Sequence, residues 1–242
     1  MDTTRHRPWP MPASPWLMTQ SWHDLLFAHW PVDAVRLRGR VPAVFELDLF
    51  EGQAWIAVVP LRMTNVAPRG IPPLPWLSAF PELNVRTYVR AGGKPGVYFF
   101  SLDATNSVAV GIARTFVHLP YFSAAMTIEH REGWTHYQSR RTARSAPAAE
   151  FTARYRPTGP SQASTRGALE LFLTERYCLY TTKGSRAYRL EIHHPPWDLQ
   201  PAEAEITVNT MVEAAGLARP ASPPLLHFSR RQDAVLWGLD RL

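Results

Sequence analysis

Apolar and polar residues alternate through "LNVRTYVRAGGKPGVYFFSLD", with Val85, Thr87 and Val89 on one face and Asn84, Arg86 and Tyr88 on the other. The glycines of "AGGKPG" supply a turn, so the stretch predicts a hairpin. The same pattern predicts two strands around the Glu51-Gly52 turn in "VPAVFELDLFEGQAWIAVVPLRM" and a third hairpin around Glu132-Gly133 in "AAMTIEHREGWTHYQSRRTAR". "AEFTARYRP" and "RAYRLEIHH" read as single strands, and "LLHFSRRQDAVLWGL" as one or two more.

Helical spacing is rarer. Ser14 followed by Pro15 has the form of a cap and a first-turn proline, and Trp22, Leu25 and Leu26 then fit a helix over Trp16 to His29, stopped by Pro31. Asp33 can cap a short helix through Gly39. "NSVAVGIARTFVH" puts Val108, Ile112, Thr115, Phe116 and Leu119 on one side. A residue before proline resists helical geometry, so this helix should end near His118. "GALELFLTERYCLY" and "VNTMVEAAG" complete the helices, and "APRGIPPLPWLSAFPE", with five prolines, predicts an irregular connection. The sum is an α+β, mainly antiparallel β domain with a curved or closed sheet, one domain over 14–242 after a loose tail over 1–13.

Composition narrows the partners. A chain of 242 residues with 45% hydrophobic content can bury a full core, and its net charge of +6 is spread along the chain without a sustained block. Arg140 and Arg141 in "HYQSRRTAR" would point to opposite faces of a strand, which argues against a nucleic-acid groove. The N-terminus lacks an apolar signal region, and no window approaches the roughly 20 apolar residues of a membrane span. The single cysteine, Cys178, suits a reducing compartment. The expectation is a soluble cytoplasmic protein without nucleic-acid or membrane partners, and the sequence is compatible with a homo-oligomer.

The chemistry-bearing residues are few. An imine-forming lysine needs a lowered pKa, and the only lysines, Lys94 and Lys183, lie in glycine-bearing turns. "LEIHHPPW" matches no metal-ligand spacing, and no nucleotide or nucleophile-elbow motif occurs, so neither a metal nor a cofactor is expected. The best polar cluster joins Glu82, Arg86 and Tyr88 to Arg114, His118 and Tyr121. Curled together in an apolar surround, these residues suit a carboxylate or carbonyl ligand. The plainer alternative is an internal ion pair of Glu82 with one arginine.

"FPELNVRTYV", "GVYFFSLDA", "LPYFSA", "FLTERYCLY", "RLEIHHPPW" and "PLLHFSRR" together resemble the YqjF-like family of uncharacterised proteins, within the acetoacetate decarboxylase-like superfamily. The resemblance covers roughly residues 18 to 240 and implies a curved antiparallel sheet closing into a barrel or cone around a central cavity. The decarboxylase branch has L-D, then A-V-G, then a proline followed by two lysines. This chain keeps Leu102-Asp103, Ala109-Val110-Gly111 and Pro120, but has Tyr121 and Phe122 where the lysines would stand. Glu82 falls roughly where that branch has a cavity glutamate.

Three expectations follow. The first is a ligand-binding interior of at least a few hundred Å³, with Arg86, Arg114 and Tyr121 orienting the guest. The second is a lyase- or hydratase-type enzyme using Glu82 or His118 for proton transfer with Tyr121 as donor, without an imine. The third is an interaction module presenting Trp76 and its proline-rich segment on the surface.

Overall fold

The computed structural model describes residues 4–74, 77–106, 111, 117–144, 146–161 and 167–242. The chain runs β1 (Met18–Val32), α1 (Ala34–Arg38), β2 (Glu46–Leu47), β3 (Ala54–Pro68), β4 (Phe80–Ala91), β5 (Lys94–Ala104), β6 (Tyr121–Arg131), β7 (Trp134–Arg141) and β8 (Glu150–Pro157). It continues as α2 (Ala168–Thr174), β9 (Cys178–Lys183), β10 (Arg186–His193), β11 (Gln200–Asn209), α3 (Met211–Ala214) and β12 (Leu225–Arg241). Hydrogen bonding closes a ring through β12, β1, β3, β4, β5, β9 and back by way of β10, while β6, β7, β8 and β11 form a second arc from β5 to β12. Pairing is antiparallel except where β5 runs parallel to β6 and β9. Among the described residues no helix is long and apolar enough to cross a membrane.

The two faces of the ring carry separate cores, as the period of two in a strand requires. Leu25, Phe27, Val59, Leu61, Tyr88, Leu102 and Leu236 pack inside. Leu26, Ala28, Val58, Val85, Val89, Tyr137 and Phe151 pack between the ring and the second arc. Gly96 marks a close approach: a Cβ there would come within 2.5 Å of the Cys178 carbonyl oxygen, so β9 can lie against β5 only beside glycine.

The β4–β5 and β6–β7 hairpins, the Asp33-capped α1 and strands β8 and β10 form where the pattern predicts them. The helix over 16–29 does not: this segment is β1, paired with β12 on one side and β3 on the other. Asp24, at φ 52°, interrupts its alternation, so Trp22 and Leu25 share a face at a spacing that mimics a helix. The helix predicted from Gly167 stops at Thr174, and Cys178 already begins a strand. β2 pairs with β4 rather than β3, and only a Phe50–Gln53 bridge closes the Glu51-Gly52 turn. Val208 and Asn209 belong to β11, and the last segment is one strand. The helix expected over 107–119 lies mostly outside the described residues.

The loose tail also needs correction from residue 4 onward. Arg7 is buried, donating to Glu191 Oε2 at 3.0 Å and to the Ile192 carbonyl at 2.6 Å, and Trp9 Nε1 donates to the same carboxylate oxygen at 3.0 Å. Lys94 pairs with the other oxygen of Glu191. A buried carboxylate on the outside of β10 demands such partners, and the N-terminal segment supplies them.

A second buried pair fastens the arc to the ring. Arg141 on β7 makes a forked contact with Asp103 on β5, at 2.8 to 3.2 Å, with its guanidinium 4.4 Å from the Phe122 ring centroid. Asp103→Asn is expected to cost about 3–5 kcal/mol in urea denaturation, because it strands a buried guanidinium, and Asp103→Leu with Arg141→Met should recover most of the loss. A single-variant cost under about 1 kcal/mol would show that this fastening carries little.

Candidate functional site

Alternation on β4 sends Glu82, Asn84 and Arg86 to the inside of the ring. β5 is paired with β4 through Asn84↔Leu102, and β6 is paired with β5 through Leu102↔Tyr121. This three-strand register brings Tyr121 beside the β4 row, and its hydroxyl donates to Glu82 Oε2 at 2.7 Å. Tyr137, from β7, donates to the Glu82 backbone carbonyl at 2.7 Å and fixes the strand from outside.

These groups face a cavity of about 90 Å³ whose walls include Trp22, Leu61, Arg176, His194 and Trp197. The volume is below the few hundred Å³ expected, because long and aromatic side chains enter from both sides: Trp197 stacks on Trp22 at 5.8 Å and meets Phe27 edge-on at 4.9 Å.

Glu82 is fully buried and its pKa rises to about 7, first through loss of solvation and further through the charge of Asp103. Hydrogen bonds from Tyr121 and Asn84 pull the other way and lose. Burial and the neighbouring Glu82 charge push the Tyr121 phenol well above its ordinary value, so it remains a donor. His194, between the carbonyls of Pro195 at 2.8 Å and Arg176 at 3.3 Å, is lowered by burial to about 4.

The predicted cluster is therefore divided. Glu82, Arg86 and Tyr121 come together. Tyr88 sits next to them, its hydroxyl bound to the Leu173 carbonyl at 2.9 Å. His118 lines a different, outward groove, its ring edge-on to Tyr188 at 5.3 Å, and does not face the cavity. Arg114 and Trp76 lie outside the described residues. The ion pair of Glu82 with an arginine is not formed among the described residues; the phenol takes its place. Pattern reading missed Asn84, Arg176, His194 and Trp197 as wall residues. Arg176 is held there by Asp48 at 2.5 Å and by the Phe172 ring at 4.2 Å. The apolar-flanked "IHHPPW" is the available signal for His194 and Trp197, and the shared strand face with Arg86 is the signal for Asn84.

The raised Glu82 pKa is a stability statement. The folded state holds this proton more tightly than the unfolded chain, so the contribution is complete below pH 4.5 and is lost as pH rises to about 7. Glu82→Gln removes that dependence. Between pH 4.5 and 7 the wild type should lose about 3 kcal/mol relative to Glu82→Gln in urea titrations, and parallel curves would exclude the shift.

Comparison with known proteins agrees with this architecture. A family model described as an uncharacterized conserved protein, DUF2071, matches residues 19–233. The chain is 50% identical over 229 residues to the uncharacterized protein YqjF of Bacillus subtilis (strain 168), covering 95% of this chain and 94% of that one. Among solved structures it is similar to an acetoacetate decarboxylase of Legionella pneumophila, at TM-score 0.65 and 13% identity over 98% of this chain and 93% of that one. It is also similar to the enduracididine biosynthesis enzyme MppR complexed with pyruvate, at TM-score 0.63 and 11% identity over 94% and 91% of the two chains. At such identities the likeness is one of fold. The match over most of its length and the half-identical relative place the chain in the DUF2071, YqjF-like family, with an acetoacetate decarboxylase-like fold.

Proposed function

We propose that the interior binds a small ligand bearing a carboxylate or carbonyl group, anchored by Arg86. The observation that carries this reading is the state of that guanidinium. Arg86 Nε is buried without a partner, Nη2 reaches the Leu173 carbonyl at 3.5 Å, the guanidinium also bonds the Tyr88 hydroxyl, and the Phe27 ring lies 5.4 Å away. No carboxylate among the described residues neutralises it, so an anionic or strongly accepting guest matches what the wall offers. A cavity of about 90 Å³, well under the volume of drug-sized sites, suits a guest of only a few heavy atoms. The pyruvate in MppR is a guest of that kind in a similar fold. The single cysteine favours a cytoplasmic setting for this role.

A second reading is enzymatic and rests on Glu82. A carboxyl group with a pKa of about 7, touching a phenol, is poised to take a proton near neutrality, and once Glu82 is protonated the single Tyr121 hydrogen can turn from it to a developing oxyanion. This is lyase- or hydratase-type chemistry without an imine. Lys94 is bound to Glu191 on the outside, and Lys183 is exposed.

Calorimetric titration with pyruvate, acetate and the neutral acetamide tests the first reading. The carboxylates should bind in preference to acetamide, and Arg86→Gln should weaken them at least about tenfold, or 1.4 kcal/mol. Equal binding by acetamide, or no loss in Arg86→Gln, contradicts it. For the second reading, wild type in D2O should speed deuterium exchange of the pyruvate methyl protons followed by proton NMR, and Glu82→Gln should not. Exchange at the buffer rate in both removes the enzymatic role for this probe.

A further inference from the structure

Phe99, Leu119 and Tyr121 each face two spaces. On one side is the cavity, and on the other is a surface groove of about 430 Å³ whose described walls add Tyr98, His118, Phe122 and Lys183. Side chains that line both spaces form the partition between them. We propose that this groove is the port of the cavity, that the Phe99 ring is the movable part of the partition, and that Lys183 draws small anions to the opening. The inference rests on the reading of the interior as a ligand site and adds its route and charge preference.

The local structure explains why Phe99 stands there. Val85 pairs with Ser101 and Arg86 with Phe99, which leaves Phe100 as an extra residue in β5. Such a bulge shifts the alternation, so that Val97 and Phe99 before it and Leu102 after it all join the inner core. Without it Phe99 would share the outward face of β5 whenever Leu102 points in.

The three partition residues differ in freedom. Tyr121 is tied to Glu82, and Leu119 is buried next to His118, whose carbonyl accepts from Thr181 Oγ1 at 2.5 Å and whose φ of 55° turns the chain. Phe99 is half-buried and its side chain has no hydrogen-bonding group, so a rotamer change breaks only packing contacts. The far wall is held differently. Trp22 donates to Gln20 at 2.9 Å and stacks on Trp197, which makes that side the firmer one.

Charge on the described wall of the groove has one sign. Lys183 is the only formally charged side chain on its described wall, and it pairs in register with another cation, Arg186. An anion is therefore concentrated at the opening. Arg86 waits inside with the same sign.

Thiol labelling tests the port independently of any ligand. The sole cysteine is removed by Cys178→Ala, and Val59→Cys places a thiol on the cavity wall away from the groove. Modification is timed with iodoacetate, a small anion, and iodoacetamide, its neutral counterpart of the same size. Phe99→Ala should speed modification by both roughly tenfold. Lys183→Glu should slow the anion by roughly threefold and leave the neutral reagent unchanged. Trp22→Leu, on the far wall, should speed both rates far less than Phe99→Ala does. Unfolding midpoints are compared throughout, and if Phe99→Ala lowers the midpoint the milder Phe99→Leu replaces it. Unchanged rates in the Phe99 variant, or acceleration by Trp22→Leu instead, overturns the port. Either result leaves the ligand reading standing, since that depends on Arg86→Gln.

Discussion

A carboxyl group whose partner is a phenol rather than a cation sets the character of this interior. Tyr121 donates to Glu82, and this bond leaves two consequences in one small space. Glu82, buried from water and bonded to no cation among the described residues, keeps its proton up to neutral pH. Arg86, four residues along the same strand face, has no carboxylate among the described residues to meet it. Had Glu82 and Arg86 paired, both would be ordinary structural ions, and the cavity would offer a guest little beyond shape.

The topology makes that arrangement stable. Tyr121 reaches β4 only because β6 joins β5 in parallel, and the same junction is fastened by the Asp103–Arg141 fork one residue further along. The second arc also sends Tyr137 to the Glu82 carbonyl and Tyr155 to the carbonyl of Asp24, where β1 breaks its alternation. Phenols from the outer core thus satisfy backbone groups at irregular or functional points of the ring. The N-terminal segment does comparable work for Glu191, which would otherwise be a buried carboxylate facing away from the cavity.

Elements whose pattern is local were legible in the sequence. Hairpins with clean alternation and glycine turns, and the capped α1, need no distant partner to be recognised. β1 was hidden because the Asp24 bulge sets Trp22 and Leu25 three apart on one face, which is also a helical spacing, and only pairing with β3 and β12 distinguishes the two. The order bestowed on Arg7 and Trp9 comes from a carboxylate about 180 residues away, which no local window contains. At the site, Glu82, Arg86 and Tyr121 were readable from strand facing and from the family pattern. His118 was misplaced because helix-end reasoning locates a residue along the chain without saying which side of the sheet its ring takes. Arg176 and His194 enter the wall through packing with Asp48, Phe172 and Tyr177, contacts set by the closed ring.

The protonation of Glu82 is the hinge of the account and can be observed directly. In protein labelled with ¹³C at the glutamate side-chain carboxyl, and with Glu82→Gln used to assign the resonance, Glu82 should titrate with a midpoint of about 7. Loss of the phenol in Tyr121→Phe should move that midpoint higher, because the hydrogen bond favours the ionised form. A midpoint in the ordinary glutamate range near 4.5 would contradict the account, since it would mean that water or a cation reaches the carboxylate after all.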